Sequence, residues 1–321
     1  MELAEVARQL FFIVGCPRSG TTLFQSMLAS HPEVILPDET CFYSRVYKDN
    51  YSRFGKLSEL NFERALETSL NFYRIKDLNL DSTLVRAKCC NEPHSWETIF
   101  LAILANYAEK HNALRIGEKS PRHFAYIGYL KERFPHAKFI HIIRDPRAVV
   151  LSLMKAPFGS DRIGNSCNLW QEAIRVHRQY ADELSPERYI VVRYEDLVGK
   201  PEQTLKPICN FLNLEFSLQM LKFDRRKELG FNRRYIEHMS NTLKPVFTSS
   251  IDKWQNELTS TQIAIIQTVL AEEMELLNYS PIDVRTVLPL VRYKIDVLAE
   301  SLTHKGRKVN KMIRKVADRK R

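Results

Sequence analysis

The sequence predicts an α/β fold in which a central parallel sheet is flanked by helices. Three observations carry this. Apolar runs of strand length recur at Leu10–Val14 and Lys138–Ile143 (KFIHII), which read as buried strands, and at Tyr189–Val192 (YIVV), which reads as a third strand. Each run is followed by a turn and then by apolar residues at helical spacing. The composition, 44% apolar and 27% charged, is that of a globular chain and excludes disorder, collagen-like repeats and coiled coils.

The elements follow in order. After the first strand comes Gly15-Cys16-Pro17-Arg18-Ser19-Gly20-Thr21-Thr22, then Leu23, Phe24, Met27 and Leu28 as one helix face, ended near His31-Pro32. Val34-Ile35-Leu36 reads as a short strand, and Asp49–Cys90 is polar and resists assignment. Helices are expected near 95–111, 121–134, 168–183 and 259–278. The second strand runs into Arg144-Asp145-Pro146-Arg147, where Asp145 suits a helix cap and Pro146 a first turn. The third ends in Arg193-Tyr194-Glu195-Asp196-Leu197 and leads to a helix opened by Pro201, which Pro207 should kink. No linker interrupts residues 1–282, read as one domain, and residues 283–321 read as a helical, strongly basic extension.

Charge is unevenly spread. The chain has 48 Lys and Arg against 38 Asp and Glu, a formal +10. Nine basic residues and one acid lie between Thr303 and Arg321, so that segment carries +8 and the other 302 residues only +2. A nearly neutral body argues against nucleic acid as a partner. The tail suits peripheral contact with an anionic membrane through 303–321, or else a solvated end. Six cysteines form no C-x-x-C pair, so neither a zinc site nor a disulfide framework is expected, and free thiols suit a cytoplasmic location. Ile13-Val14-Gly15-Cys16 resembles a lipoprotein cleavage site, but Glu2 and Glu5 stand where a signal peptide carries positive charge. No stretch reaches the ~18 uncharged apolar residues of a membrane helix.

Gly15 and Gly20 bound a loop between strand and helix, where free backbone N–H groups and the helix dipole attract an anion. The spacing G-x-x-x-x-G is that of a nucleotide-phosphate loop. Gly20 is followed by Thr21-Thr22 and not by Lys-Ser/Thr, Arg18 precedes it, and no acid follows KFIHII directly. A metal-bound triphosphate is badly served, and a metal-free phosphorylated nucleotide well served.

Pro17-Arg18-Ser19-Gly20-Thr21-Thr22-Leu23 resembles the 5′-phosphosulfate loop of sulfotransferases that use 3′-phosphoadenylyl sulfate (PAPS). Arg144-Asp145-Pro146-Arg147-Ala148-Val149-Val150-Leu151-Ser152 resembles their 3′-phosphate motif, and the likeness spans residues 8–281. Within the family, Pro17–Thr40 is similar to the tyrosylprotein sulfotransferases and their bacterial relatives. The resemblance implies a P-loop three-layer fold and metal-independent, in-line transfer of a sulfuryl group to a hydroxyl or amine, leaving adenosine 3′,5′-bisphosphate. It implies Glu39 as general base, Lys119 of Glu118-Lys119-Ser120-Pro121 and Arg18 as the cations at the reacting centre, and Arg18, Ser19, Gly20, Thr21, Thr22, Arg144, Ser152, Tyr194 and Lys244 as cofactor contacts. His94 and His123 are alternative bases, and Trp170 and Trp254 are core residues or adenine platforms. A small-molecule kinase on the same loop, or a basic-tailed binding module without catalysis, are the competing functions. The acceptor, whether sugar, lipid, natural product or protein tyrosine, is left open by the residues.

Overall fold

The structure, a computed structural model, describes residues 1–110, 115–157, 162–225 and 250–284. It divides into two compact units, one of Met1–Arg144 with Glu172–Ser250, the other of Asp145–Gln171 with the residues from Ile251. The basic segment 303–321, its expected membrane contact and most of the extension 283–321 lie outside the described residues.

In the first unit α1 (Leu3–Gln9) leads into β1 (Phe11–Gly15), α2 (Thr21–Ala29) and β2 (Val34–Ile35). A π-helical turn, Phe42–Tyr47, precedes α3 (Lys48–Phe54), α4 (Glu59–Leu70), α5 (Tyr73–Lys76), α6 (Ser82–Cys89) and α7 (Trp96–Lys110). Then come β3 (Arg115–Lys119), a 3₁₀ segment (Pro121–Tyr126), α8 (Ile127–Arg133) and β4 (Lys138–Ile143). The chain passes into the second unit with α9 (Pro146–Met154) and the start of α10 (Ile163–Glu183). It returns for β5 (Tyr189–Arg193), α11 (Tyr194–Gly199) and α12 (Pro201–Phe211). Among the described residues the second unit also holds α13 (Lys253–Glu257), α14 (Ser260–Val269) and α15 (Ala271–Leu276).

The five strands form one parallel sheet in the order β2-β3-β1-β4-β5, as the buried apolar runs require. Alternation along β1 separates two layers. Phe11 and Ile13 join Phe24, Met27 and Leu28 of α2 and Leu205 and Ile208 of α12 in one core cluster. Phe12 turns the other way, its ring 6.1 Å from Phe100 of α7, 6.2 Å from Phe134 and 5.4 Å from Phe139. Helices thus cover both faces, giving the three-layer α/β architecture.

β3 is the strand that patterning misses. Three of its five residues, Arg115, Glu118 and Lys119, are charged, yet it pairs with both β1 and β2. Gly117 permits this, because a Cβ there would lie 2.3 Å from the Phe11 ring and 2.5 Å from Leu36. The unassigned stretch Asp49–Cys90 is mostly helical, as α3 to α6, and α12 continues through Pro207. The helix expected at 259–278 is split at Leu270 into α14 and α15, and that expected at 121–134 opens as a 3₁₀ segment. All six cysteines are free thiols. No helix among the described residues is long and apolar enough to cross a membrane.

In the second unit Asp145 caps α9, accepting from the Arg147 N–H at 2.8 Å. The buried Arg147 guanidinium pairs with Asp145 at 2.6 Å, donates to Gln267 and the Ser280 carbonyl, and lies 4.0 Å over the Trp254 ring. Arg147 and Trp254 are therefore parts of this unit's interior, and Trp170 is fully buried.

A buried polar cluster in the first unit gives the fold a pH dependence. The Tyr189 hydroxyl lies 2.8 Å from His141 Nδ1 and 3.1 Å from His177 Nδ1, so it donates to one ring and accepts from the other. Burial, with His177 beside it, pushes the His141 imidazole well below its ordinary value; burial also lowers His177. The unfolded chain therefore binds protons that the folded one does not. Stability is full above the unfolded pKa of about 6.5 and falls as pH drops below it, by up to about 1.4 kcal/mol per pH unit for each such imidazole. Thermal midpoints should decline between pH 7.5 and 5.5, and His141→Asn, which keeps an acceptor for the hydroxyl, should flatten the decline. Parallel curves for the two proteins would assign the dependence elsewhere.

Candidate active site

The loop after β1 is shaped for an anion. Gly15 has φ +146°, and a Cβ there would lie 2.4 Å from the Ile142 carbonyl of β4. Arg18 itself adopts a positive φ of 74°. Gly20, at φ +94°, caps α2 without any side-chain hydrogen bond, so the first amides of that helix point out unclaimed by a cap. Ser19 is fully buried, and its Oγ finds no partner among the described residues. Thr21 is buried beside it. A buried hydroxyl without a partner is costly unless something else fills the loop.

Glu39 and Lys119 meet at this loop. Lys119 Nζ donates to Glu39 Oε1 at 2.5 Å and to Thr22 Oγ1 at 3.5 Å. The lysine is 3% exposed and the glutamate 25%, so the cation is on the inside and the carboxylate on the solvent side. β3 delivers Lys119, and the turn after β2 delivers Glu39. Arg74 of α5 approaches the other oxygen, Nη1 to Oε2 3.6 Å.

The neighbouring Glu118 is fully buried and serves structure. It accepts from Thr40 Oγ1 at 2.7 Å and Ser120 Oγ at 2.5 Å, and its Oε2 is 2.8 Å from His123 Nδ1. Burial raises its pKa, but His123 and the two hydroxyls outweigh this and hold the carboxyl below its usual range. His123 Nε2 accepts from the Tyr43 N–H at 3.1 Å, which puts the ring proton on Nδ1, facing Glu118. This network locks the segment carrying Glu39 to the end of β3. His123 is wholly buried within it, and the exposed His94 packs on the Phe62 ring at 4.8 Å.

Arg144, Arg18 and Tyr194 form the loop's other flank. Arg144 Nη1 donates to the Arg18 carbonyl at 3.2 Å and Nη2 to the Ser250 carbonyl at 2.7 Å. Its guanidinium lies 4.0 Å over the Tyr194 ring. That ring also abuts Gly20, where a Cβ would come within 2.2 Å, and its hydroxyl is 2.7 Å from Ser250 Oγ. The Tyr194 ring is thus packed against both the Arg144 guanidinium and Gly20 of the loop. Burial and the nearby Arg144 lower the Arg18 pKa, and Glu39 opposes them. Two cations crowded together are relieved by an anion.

Ser152 lies on α9 in the second unit, partly buried. Lys244 lies outside the described residues. No group of three or more His, Cys, Asp or Glu among the described residues is placed to hold a metal. Sequence reasoning missed Arg74, whose segment has no motif, and the Glu118–His123 network, whose one sequence signal is proximity to Lys119.

A model of the sulfotransferase family matches residues 11–217. Protein-tyrosine sulfotransferase 1 of Danio rerio is 29% identical over 285 residues, covering 85% of this chain and 72% of the relative. Protein-tyrosine sulfotransferase of Drosophila melanogaster is 26% identical over 280 residues, 85% of this chain and 52% of the relative. The sulfotransferase domain from the Synechococcus PCC 7002 olefin synthase superimposes with a TM-score of 0.57 at 25% identity, over 84% of this chain and 94% of that one. The domain from the curacin biosynthetic pathway has a TM-score of 0.58 at 23% identity, over 84% and 97%, a likeness of fold.

Proposed function

The chain belongs to the sulfotransferase family, and from that premise we propose that it moves the sulfuryl group of PAPS to a hydroxyl, with Glu39 as general base. The observation that carries the reading is the Glu39–Lys119 ion pair, 2.5 Å long and 3.5 Å from Thr22 of the loop. It joins a base and a buried cation to an anion cradle.

PAPS supplies a sulfuryl group on a phosphate leaving group. Toward it, the uncapped amides of α2, the orphaned Ser19 hydroxyl and Arg18 offer donors for the 5′-phosphosulfate, with Thr21 and Thr22 beside them. Arg144, its guanidinium 4.0 Å over the Tyr194 ring and bonded to the Arg18 carbonyl, is proposed to offer its charge to a 3′-phosphate. Ser152 and Lys244 are proposed as further contacts on the strength of the family motif alone. Lys119 neutralises charge on the oxygen that leaves sulfur, and Glu39 removes the proton of the attacking hydroxyl. The named relatives are protein-tyrosine sulfotransferases, so a tyrosine hydroxyl is the acceptor we propose.

Thermal shift tests the donor. Adenosine 3′,5′-bisphosphate without Mg²⁺ should stabilise the protein, by about 2.7 kcal/mol at a hundredfold excess over Kd. AMP, which lacks the 3′-phosphate, should do far less. Arg144→Ala should shrink the difference between the two, because the lost partner is the 3′-phosphate. Stabilisation by Mg-ATP alone would favour a kinase, and unchanged discrimination in Arg144→Ala would remove its role. Transfer of ³⁵S from labelled PAPS to a tyrosyl peptide tests the acceptor.

A further inference from the structure

Glu39 is held on both carboxylate oxygens by cations from different parts of the chain. Oε1 is taken by Lys119 Nζ at 2.5 Å, within strong hydrogen-bond range. Oε2 has Arg74 Nη1 at 3.6 Å and Cys41 Sγ at 4.0 Å, and the Arg18 guanidinium also feels the Glu39 charge. At 3.6 Å Arg74 is beyond hydrogen-bond length, so it orients Oε2 by charge, and the one side-chain donor to that oxygen among the described contacts is the weak Cys41 thiol at 4.0 Å. Lys119 is 3% exposed and Arg74 is 21%, which puts Arg74 on the more solvent-accessible side of the carboxylate.

Arg74 is itself fixed. It sits on the four-residue α5, which is anchored by the buried Ile75 and Leu78 and closed by backbone bonds from Ile75 N–H to the Phe72 carbonyl and from Asp77 N–H to the Tyr73 carbonyl. Its Nε donates to the hydroxyl of the adjacent Tyr73 at 3.0 Å, and the guanidinium lies 5.5 Å from that ring's centre. The Nε side is therefore occupied by Tyr73, and Nη1 is turned to Glu39. A carboxylate gripped at one oxygen can swing its plane; one steered at the second oxygen cannot.

Resting on the reading of Glu39 as the base, we propose that Arg74 is a positioning residue that holds the Glu39 carboxylate so that Oε2 accepts the acceptor's proton. In that step the acceptor oxygen bonds to sulfur, the bond from sulfur to the phosphate oxygen breaks with its electron pair going to the phosphate, and the hydroxyl proton passes to Oε2. Arg74 touches neither reacting oxygen.

The test measures transfer from ³⁵S-labelled PAPS to a tyrosyl peptide in the full chain, with circular dichroism and thermal midpoints recorded for each variant. Arg74→Met should lower kcat by about 10- to 100-fold, the penalty of a misplaced reacting group, and leave KM for PAPS unchanged. Arg74→Lys restores a cation and should recover most of the loss, which also guards against misfolding of the Met variant. Added to Glu39→Gln, Arg74→Met should cost nothing further, because it acts only through that carboxylate. Wild-type kcat in Arg74→Met, or the same fold-loss on the Glu39→Gln background, overturns the proposal. Failure of the underlying reading looks different: Glu39→Gln alone would then turn over normally.

Discussion

Glu39→Gln should turn over about 10²- to 10⁴-fold more slowly than the wild type, the usual worth of a general base. Glutamine keeps the length and planarity of the side chain and removes its basicity. The loop, Arg18 and Arg144 are untouched, so KM for PAPS and the thermal shift with adenosine 3′,5′-bisphosphate should change little. The substitution also strips Lys119 of its counter-charge at 2.5 Å. Lys119 is almost fully buried, so some stability is lost with the ion pair, though the amide oxygen still accepts from Nζ. Rate and thermal midpoint must be measured together, so that a kinetic loss is not confused with unfolding. The rival bases differ in environment. His123 is buried, accepting from the Tyr43 amide and facing Glu118, so His123→Ala should damage the fold first and activity with it. His94 is exposed against Phe62, and His94→Ala should keep both. Near-normal turnover in Glu39→Gln with loss of activity in a stably folded His94→Ala would transfer the role to the histidine.

The phosphate loop was legible in sequence because its chemistry is contiguous. The two glycines, the arginine and the paired threonines lie in eight residues, and each has a local reason to be there. β1 and β4 were legible because they are buried almost throughout and read as mainly apolar runs, and β5, the edge strand with Val191 exposed, because YIVV is still apolar and β-branched. β3 was not, for the reason that makes it useful. A strand that must deliver Lys119 to the site and Glu118 to its support carries buried charges, and these are satisfied by the distant Glu39 and Thr40 together with the nearby Ser120 and His123. Local pattern cannot register partners 78 to 80 residues away. Glu39 and Lys119 entered through the family resemblance, whereas Arg74 lay in the polar stretch 49–90 and became visible only when α5 brought it to Oε2.

Lys119→Met should be the other severe lesion, lowering kcat by about 10²- to 10³-fold, the cost of deleting one preorganised donor at a site of developing charge. Methionine fills a similar volume, so the buried stem is replaced and the cation alone is lost. Two effects then add. Thr22 and the leaving oxygen lose a cation 3.5 Å from the threonine hydroxyl, and Glu39 loses its tight partner and keeps the looser guide of Arg74 at 3.6 Å. Stability should fall by less than the about 3–5 kcal/mol of a broken fully buried pair, because Glu39 is 25% exposed and still has Arg74 for a counter-ion. The double variant with Glu39→Gln separates the two effects. Were Lys119 only a holder of Glu39, the double variant would be no slower than Glu39→Gln. Were the two residues independent, their losses would multiply. The geometry, with one ammonium bridging carboxylate and loop, calls for the intermediate result: slower than either single variant, by less than the product. A double variant equal to Glu39→Gln would deny Lys119 any action on the leaving group, and full multiplication would deny that the ion pair matters to the base.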